Sequence, residues 1–586
     1  TPNFLLGTDT TEFVAGDEVE FNDEAQSVLI TLTDLMPIGK VTVNNNEKNI
    51  SFTGDGGLSG SGSLIKEGSG RLSLVTTKSD YTGPTIINGG TVLVKELADG
   101  GLPSSIGAAS SSPENLQIGK ATLNIDNANT ATDRGITLTD TASIQVNSGT
   151  TSLKGQIKGD GMLVKKGAGQ LNITYGGANT WSGGTRLVAG TLAMGTWNTT
   201  FGTSTSKIEV TGNSTIRIFD QNSTSTVPNL NNTIDILKGK TLTIVGGKRC
   251  AIRGKLTGEG TLRISFPYVR GDVYTNMSAF QGTYEATSGQ LRLASAIDLS
   301  QGTLKLGADV YAAHVEGGGK NEKILTSKIG ALTSSVNTCT LASGIWNVGY
   351  LGTDDTYAGI FNSSATINKY GEGTLTLTGA SQGKLNIYEG CVLAGNTSTA
   401  TTSGATTVYE GGKLAGGGKI AAVTIKKGGI LAAGKNSLLT GTLTLTGNLN
   451  VNSGGILYIR ARNNGRTDTF KADGKVTLMS PLFQIEHIGD GFAEGDELPI
   501  FTGTGTISLS GTPTFKPATP CDGCVWDYST LETDGTLRVI ADPTGIDNTE
   551  LTIDKSQLTI YDLTGRKVET ITEKGIYIIN GKKVIR

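Results

Sequence analysis

The amino-acid sequence predicts an all-β fold in which a long parallel β-solenoid precedes a small antiparallel β module. Three observations support this fold class. Glycine accounts for 84 of the 586 residues and proline for 13, so glycine marks frequent turns without the strict period of collagen. Short segments of alternating Leu, Ile and Val lie between these glycines, a pattern typical of strands rather than helices. A Gly-x-Gly-x-Leu phrase recurs along the chain, and units of this kind bury their apolar faces by stacking.

The clearest copies of the repeat occupy residues 60–94 and 161–192. The phrase Gly68-Ser69-Gly70-Arg71-Leu72 in the first corresponds to Gly167-Ala168-Gly169-Gln170-Leu171 in the second. In each copy an aromatic residue, a glycine turn and another alternating strand follow. Weaker copies cover residues 258–284 and 371–393.

Composition excludes several classes of protein. Charged residues make up 17% of the chain and the formal net charge is −3, and no Lys/Arg cluster with interleaved aromatics is present, so nucleic acid is not an expected partner. No run of about 18 apolar residues occurs, so no transmembrane segment is predicted. Residues 1–7 show neither a basic nor an apolar leader region, and we expect any signal peptide to lie upstream or to have been removed.

The order Gly-x-Gly-x-Leu-x-Leu, Tyr-x-Gly and Gly-Gly-Thr resembles the autotransporter-associated β-strand repeat found in passenger domains of secreted bacterial adhesins. Residues 414–434 resemble the coil that commonly follows such repeats. The resemblance implies a right-handed parallel β-helix. We therefore expect a β-helix over residues 1–540, with less regular strands around residues 13–21.

The C-terminal residues 541–586 differ in kind from the repeats. Two strand–turn–strand motifs, the second with an Asn580-Gly581 hairpin turn, predict a small antiparallel β-sandwich module. Both motifs are similar to the type IX secretion C-terminal sorting domain of Bacteroidota, which implies the type IX machinery or the outer-membrane surface as a partner. A module that only covers the last strand of the solenoid is compatible with sorting. The motif residues are Tyr561, Asp562, Gly565, Arg566, Val568, Gly575, Ile576, Tyr577, Gly581, Lys583 and Val584.

Catalytic and metal-binding constellations are not visible in the sequence. The chain has two histidines, His314 and His487, without a nucleophile elbow nearby. The pair Cys521 and Cys524 lacks the second pair that a zinc site needs, so it forms a loop disulfide or simply lies close. We expect no catalytic residue, no metal and no cofactor. The alternative is a pectin-lyase-like polysaccharide-degrading enzyme, or a non-catalytic C-terminal part of one, whose carboxylates would cluster on one wall of the coil.

Aromatic residues supply the candidate ligand site. Trp346, Tyr350 and Tyr357 fall within an irregular stretch at residues 337–362, and insertions in solenoids tend to map to one functional face. The three other cysteines, Cys250, Cys339 and Cys391, are expected to be buried. The sequence thus predicts a non-catalytic stalk or adhesin, secreted or on the extracellular face of the outer membrane, that binds glycans or neighbouring copies through repeated weak contacts.

Overall fold

The computed structural model describes residues 4–219, 227–246, 250–317, 322–394, 401–434, 440–462, 465–543, 559–568, 575–579 and 582–585. The chain divides into two compact units. The first comprises Thr1–Leu414 and Gly418–Ala422, and the second comprises Ala415–Gly417 and Val423–Arg586.

The first unit is built mainly from parallel sheets in which strands pair with those of the preceding and following coils. Within these sheets, Lys323–Ile324 pairs antiparallel with Tyr311–Glu316. Leu72 lies between Ile50 and Val92, and the pairing continues from Val92 to Leu123. This register confirms the parallel β-solenoid predicted from the repeat.

Three large sheets form the walls of this unit, and their strands follow in spatial order. The first sheet contains Ala279–Phe280, Leu256–Gly258, Thr233–Ile236, Lys207–Val210, Thr185–Leu187, Met162–Lys166, Thr141–Val146, Thr122–Ile125, Thr91–Val94, Arg71–Leu74, Ile50–Thr53 and Leu29–Thr31. The second contains Ile157–Gly159, Ile136–Leu138, Leu116–Ile118, Thr85–Ile87, Ser63–Glu67, Lys40–Asn44 and Glu18–Asn22. The third contains Thr130–Thr132, Thr150–Leu153, Gln170–Ile173, Gly190–Met194, Ser214–Arg217, Asn229–Leu230, Thr241–Val245, Cys250–Ile252, Thr261–Val273, Thr283–Leu293, Asp298–Leu306, Tyr311–Glu316, Lys323–Ile324, Thr326–Thr333, Thr340–Leu341, Gly344–Val348, Ile360–Phe361, Ala365–Lys369, Lys384–Ile387 and Thr406–Val408.

Smaller elements complete the first unit. A further parallel sheet joins Asp355–Tyr357, Thr374–Leu377, Gly390–Ala394 and Gly412–Ala415, and two parallel pairs join Leu35–Pro37 to Gly57–Ser59 and Thr401–Thr402 to Lys419–Ile420. Phe4–Leu6 and Asp9–Thr11 form an antiparallel hairpin, and Pro113–Asn115 is a single 3₁₀ turn.

The core of each coil is a stack of inward-facing aliphatic side chains. Along Arg71–Leu74, Leu72 and Leu74 are buried while Arg71 is exposed, because successive side chains of a strand point to opposite faces. The aliphatic residues of the next coil occupy the same places, so each buried layer continues the one below it.

Glycine at the coil corners is required by sterics. Gly167 has a φ of +77°, and a Cβ on this residue would lie 2.2 Å from the carbonyl oxygen of Val146 in the preceding coil. At Gly254 a Cβ would lie 1.8 Å from the carbonyl oxygen of Asn232. Backbone from neighbouring coils approaches too closely there for any side chain, which explains the high glycine content.

Aromatic rings cover the outermost N-terminal strands of the first unit. Phe4 lies 6.2 Å from Phe13 and 6.0 Å from Phe21 between ring centroids, and Phe21 in turn lies 5.2 Å from Phe52. The hairpin that carries Phe4 is antiparallel, so it does not offer the first coil another parallel strand.

The second unit continues the same design with three parallel sheets. They comprise Val423–Ile425, Leu449–Val451, Val476–Met479 and Ile507–Ser510; Ile430–Ala432, Ile456–Ala461, Leu482–His487 and Thr514–Lys516; and Thr442–Leu445, Thr469–Ala472 and Phe501–Thr502.

An antiparallel sheet of Glu497–Pro499, Thr536–Ala541 and Cys524–Asp527 follows, with the short helix Leu531–Asp534. Antiparallel strands therefore begin inside the range assigned to the β-helix from sequence. Trp526 on this sheet lies 5.8 Å from Phe515, which stacks on Phe483 at 5.4 Å. The sheet thus places an aromatic ring against Phe515 in Thr514–Lys516, the outermost strand of its parallel sheet.

The C-terminal segment forms a four-stranded antiparallel sheet in the order Lys567–Val568, Ile560–Asp562, Ile576–Ile579 and Lys582–Ile585. Its antiparallel hairpins agree with the sequence motifs. The boundary at residues 540/541, the right-handed sense of the coils and the sandwich form of this module stay predictions. In the described part of the chain, no helix is long and apolar enough to cross a membrane.

A buried ion pair in the second unit generates a stability prediction. Arg460 Nε lies 2.7 Å and Nη2 3.0 Å from the two carboxylate oxygens of Asp468, and both residues are buried. Asp468→Ala leaves the guanidinium buried without its carboxylate, so we expect a loss of about 3–5 kcal/mol in the free energy of unfolding, measured by urea denaturation. The exposed pair Lys238–Glu259 is the control, and Glu259→Ala should cost less than about 1 kcal/mol. Equal effects of the two substitutions would contradict this assignment.

Candidate binding surface

The three aromatic residues singled out from the sequence do not form one exposed surface. Trp346 is fully buried, donates its indole N–H to the carbonyl of Ala342 at 3.2 Å and packs 5.8 Å from His314. Tyr357 is also fully buried and stacks on Phe361 at 4.8 Å. Strand parity turns both side chains inward, where they fill the core.

Tyr350, in contrast, is 38% exposed and begins a row of stacked tyrosines. Its ring lies 5.2 Å from Tyr370, Tyr370 lies 5.1 Å from Tyr388, and Tyr388 lies 4.5 Å from Tyr409. The interplanar angles are 17°, 11° and 15°. We call these four residues the tyrosine ladder; each stands just after a strand of the third sheet, one per coil.

A second row of identical side chains runs beside the first. Asn368 donates to the side-chain oxygen of Asn347 at 2.8 Å, and Asn386 donates to that of Asn368 at 2.8 Å. These three residues, the asparagine ladder, are in register across adjacent strands of the third sheet. Thr407 pairs with Asn386 in the next strand and extends the uncharged polar row.

Burial raises the pKa of the Tyr350 and Tyr388 phenols above the usual value. Both hydroxyls are therefore protonated at neutral pH, where a phenol both donates and accepts hydrogen bonds, and that of Tyr388 is hydrogen-bonded to Tyr409.

A buried lysine supports the turn that carries Tyr370. Lys369 is 1% exposed, and its ammonium donates to the carbonyls of Tyr370 and Gly371 at 2.7 Å each and to that of Glu389 at 3.4 Å. A buried ammonium group needs such acceptors to offset its desolvation. The turn geometry under the tyrosine ladder is thereby fixed.

The same arrangement occurs in both strong copies of the repeat. Lys165 is fully buried and donates to the carbonyls of Lys166 and Gly167 at 2.8 Å and of Ala189 at 3.2 Å. Lys66, also fully buried, donates to the carbonyls of Glu67 and Gly68. Burial lowers the pKa of Lys66 and of Lys165 to about 8.

The two histidines occupy structural positions. His314 is buried, contacts the carbonyl of Ser295 through Nε2 at 2.7 Å, and burial lowers its pKa. His487 accepts a hydrogen bond from the Gly491 amide at its Nδ1. Within the described ranges, no group of three or more His, Cys, Asp or Glu side chains is arranged to hold a metal ion.

Several carboxylates of the coils are engaged by basic partners or by turns. Glu285 lies 2.7 Å from Arg263 Nε and 2.9 Å from Lys305 Nζ. In the pair Asp354 and Asp355, the first carboxylate accepts the backbone N–H of Thr374 at 2.7 Å. Glu285 and Asp354 thus each have a defined structural partner.

Cysteine positions follow the sequence prediction in part. Cys521 and Cys524 form a disulfide that closes a short loop. Cys250 and Cys339 are buried as expected, whereas Cys391 is only partly buried.

The described residues of the C-terminal motif lie together on the four-stranded antiparallel sheet. The Asp562 carboxylate accepts the backbone N–H groups of Thr564 and Arg566 and lies 3.1 Å from Arg566 Nε. Gly565 has a φ of +83° in the turn between the first two strands. Tyr577 pairs with Val584, while Tyr561, Val568, Gly575, Ile576 and Lys583 lie on or beside the same strands. Gly581 lies outside the described residues.

Three segments match the passenger-associated-transport-repeat family, at residues 64–94, 163–194 and 367–390. Each matched segment contains one of the three buried lysines, Lys66, Lys165 and Lys369. The lysine that caps the turn is therefore a shared structural feature of the three matched segments.

The chain is 28% identical over 527 residues to the adhesin BmaC autotransporter of Brucella suis biovar 1 (strain 1330). The alignment covers 87% of this chain and 14% of the relative's length. Together with the repeat matches, this similarity supports an autotransporter passenger-like β-helix that is secreted or displayed on the cell surface. The autotransporter route differs from type IX secretion, so the sorting role of residues 541–586 stays a prediction.

The low pKa of Lys165 gives a prediction with a defined sign. Its value is about 8 in the folded protein, against a usual 10.5. Between these pH values the unfolded chain binds more protons, so this lysine makes the free energy of unfolding rise with pH. In urea denaturation between pH 8 and pH 10.5, the free energy of unfolding of the Lys165→Met variant should increase less with pH than that of the unmodified chain. Lys165→Arg, which keeps a charged donor that does not titrate in this range, should show the same smaller increase. Parallel pH profiles for all three proteins would refute the assignment.

Proposed function

We propose that this protein is a non-catalytic, adhesin-like surface stalk that attaches through weak contacts repeated from coil to coil. The observation that carries the proposal is the pair of ladders formed by Tyr350, Tyr370, Tyr388 and Tyr409 and by Asn347, Asn368 and Asn386. Equivalent groups at regular intervals are suited to multivalent binding, in which weak individual contacts add to a strong total. Glycans or neighbouring copies of the chain are the partners proposed.

The non-catalytic part of the proposal is supported by the relative and by the walls of the coils. The relative is an adhesin by name. Wall carboxylates such as Glu285 and Glu209 each contact two basic side chains, so they serve as surface ion pairs. The pairs Arg186–Glu209, Arg263–Glu285 and Glu285–Lys305 link adjacent coils.

We further propose that the C-terminal sheet directs export through the type IX machinery of a Bacteroidota cell. Its support is the motif Tyr561-Asp562-x-x-Gly565-Arg566 together with the turn that this motif forms. The same sheet is also suited to covering a strand edge.

Adhesion provides the first test. Beads coated with the full chain should adhere to glycan-coated surfaces more than in proportion to coating density, because binding is multivalent. Raising NaCl from about 0.05 to about 0.5 M should change adhesion less than about twofold, since uncharged contacts are insensitive to screening. Loss of adhesion at high salt would show that charge drives attachment. Release of sugar products from the surface would contradict the non-catalytic assignment.

Export provides the second test. Deletion of residues 546–586 should abolish delivery to the surface of the native cell, measured by protease accessibility of the chain on intact cells. The matched point variant Arg566→Ala removes the contact with Asp562, and we expect it to weaken delivery. Normal delivery of the deleted protein would exclude the sorting role.

A further inference from the structure

We infer that the tyrosine and asparagine ladders together form a binding site for an uncharged, extended polysaccharide aligned with the direction in which the coils stack. This inference deepens the proposed adhesin function and rests on it. The site is defined by Tyr350, Tyr370, Tyr388, Tyr409, Asn347, Asn368 and Asn386.

The repeat distance of the site is set by the backbone. Neighbouring strands of a sheet lie about 4.8 Å apart, and the tyrosine centroids follow each other at 4.5 to 5.2 Å. Each coil therefore contributes one phenol, and three of them also contribute one amide, at nearly constant intervals. A polymer whose hydroxyl groups recur along an extended chain meets an equivalent set of partners at every coil.

The ladders retain hydrogen-bonding capacity beyond their own contacts. An Asn amide carries two N–H donors and an oxygen with two lone pairs. The ladder uses one N–H of Asn368 and one of Asn386, so each of these amides keeps a second donor. Because stacking covers most ring faces, the tyrosines contribute mainly their hydroxyls and edges. Tyr350, at the end of the row, also presents part of its ring.

Charge favours a neutral ligand. The ladders contain no ionisable group other than the phenols, and the nearby exposed side chains include both Lys328 and Lys384 and both Glu389 and Glu410. A field of mixed sign gives no net attraction to an acidic or a basic polymer. An uncharged chain rich in hydroxyl groups matches the hydrogen-bond donors and acceptors of the two ladders, and its binding leaves no unpaired charge buried at the site.

The ladders are held in place before any ligand binds. Lys369 fixes the turn after Asn368 through three carbonyls, and the Glu389 carboxylate accepts the Gly371 amide at 2.9 Å. A rigid site loses little conformational entropy on binding.

The test uses the full chain and three soluble neutral polysaccharides, a linear β-glucan, a mannan and a galactan, with polygalacturonate as the charged comparator. We expect affinity electrophoresis to show retardation by at least one neutral polymer and none by polygalacturonate. The double variant Tyr370→Phe/Tyr388→Phe keeps the rings but removes two hydroxyls, and we expect about tenfold weaker binding. Asn368→Ala/Asn386→Ala should have a similar effect.

The control is Asn147→Ala, which removes a comparable amide pair with Asn124 at 3.1 Å on another sheet and should leave binding unchanged. Unchanged thermal unfolding midpoints establish that the variants are folded. Absence of retardation by all three neutral polymers, or equal binding by ladder and control variants, would overturn the inference. If the chain self-associates and the ladder variants abolish this self-association, the inference is also overturned, because the ladders then bind a second copy of the chain. If beads coated with the ladder variants still adhere, the inferred site is wrong but the proposed adhesin function stands. If beads coated with the unmodified chain do not adhere at all, the proposed function itself is wrong.

Discussion

In-register parallel pairing between successive coils is the constraint on which the rest of this structure depends. Within the parallel sheets, strands pair their backbone N–H and C=O groups with the coils on either side, so each paired residue has a fixed neighbour one coil away. That neighbour sits within side-chain contact distance. The arrangement explains why aliphatic residues stack in columns, why Asn347, Asn368 and Asn386 bond to each other, and why Arg263, Glu285 and Lys305 alternate in sign.

The same pairing has two structural consequences, close backbone contacts at the corners of the coils and unpaired edges on the outermost strands. Tight corners bring carbonyls such as that of Val146 against the next coil, and glycine there leaves the necessary space. The outermost strands would otherwise offer an unpaired edge. In the first unit, Phe4 and its antiparallel hairpin cover the N-terminal strands; in the second, Trp526 and its antiparallel sheet pack on Phe515. Each unit thus changes strand direction at these positions.

The repeat phrases were sufficient to predict the parallel solenoid, because glycine spacing and alternating Leu, Ile and Val report directly on turns and strands. They were insufficient for the candidate site. Trp346 and Asn347 are adjacent, and strand parity alone decides that the indole is buried while the amide is on the outward face and only half-buried. The tyrosine ladder forms because its four tyrosines lie in register in successive coils. These coils are weak copies of the repeat, and the tyrosines are separated by unequal numbers of residues, so no fixed sequence spacing indicates the ladder. Lysine is rarely buried without a partner, so nothing in the sequence signals that Lys66 and Lys165 are buried; the structure alone reveals the carbonyls that accept from them.

One phenol per coil has a consequence for how such a protein changes over generations. Unequal recombination within a repetitive gene inserts or removes whole coils, and an inserted coil carrying Asn-x-Tyr lengthens the row without any new fold or new chemistry. Under the proposed binding mode, the strength of attachment then varies in discrete steps with the number of coils, while point substitutions alter single positions of the ladder. Selection on the number of repeats is therefore able to raise or lower the strength of attachment.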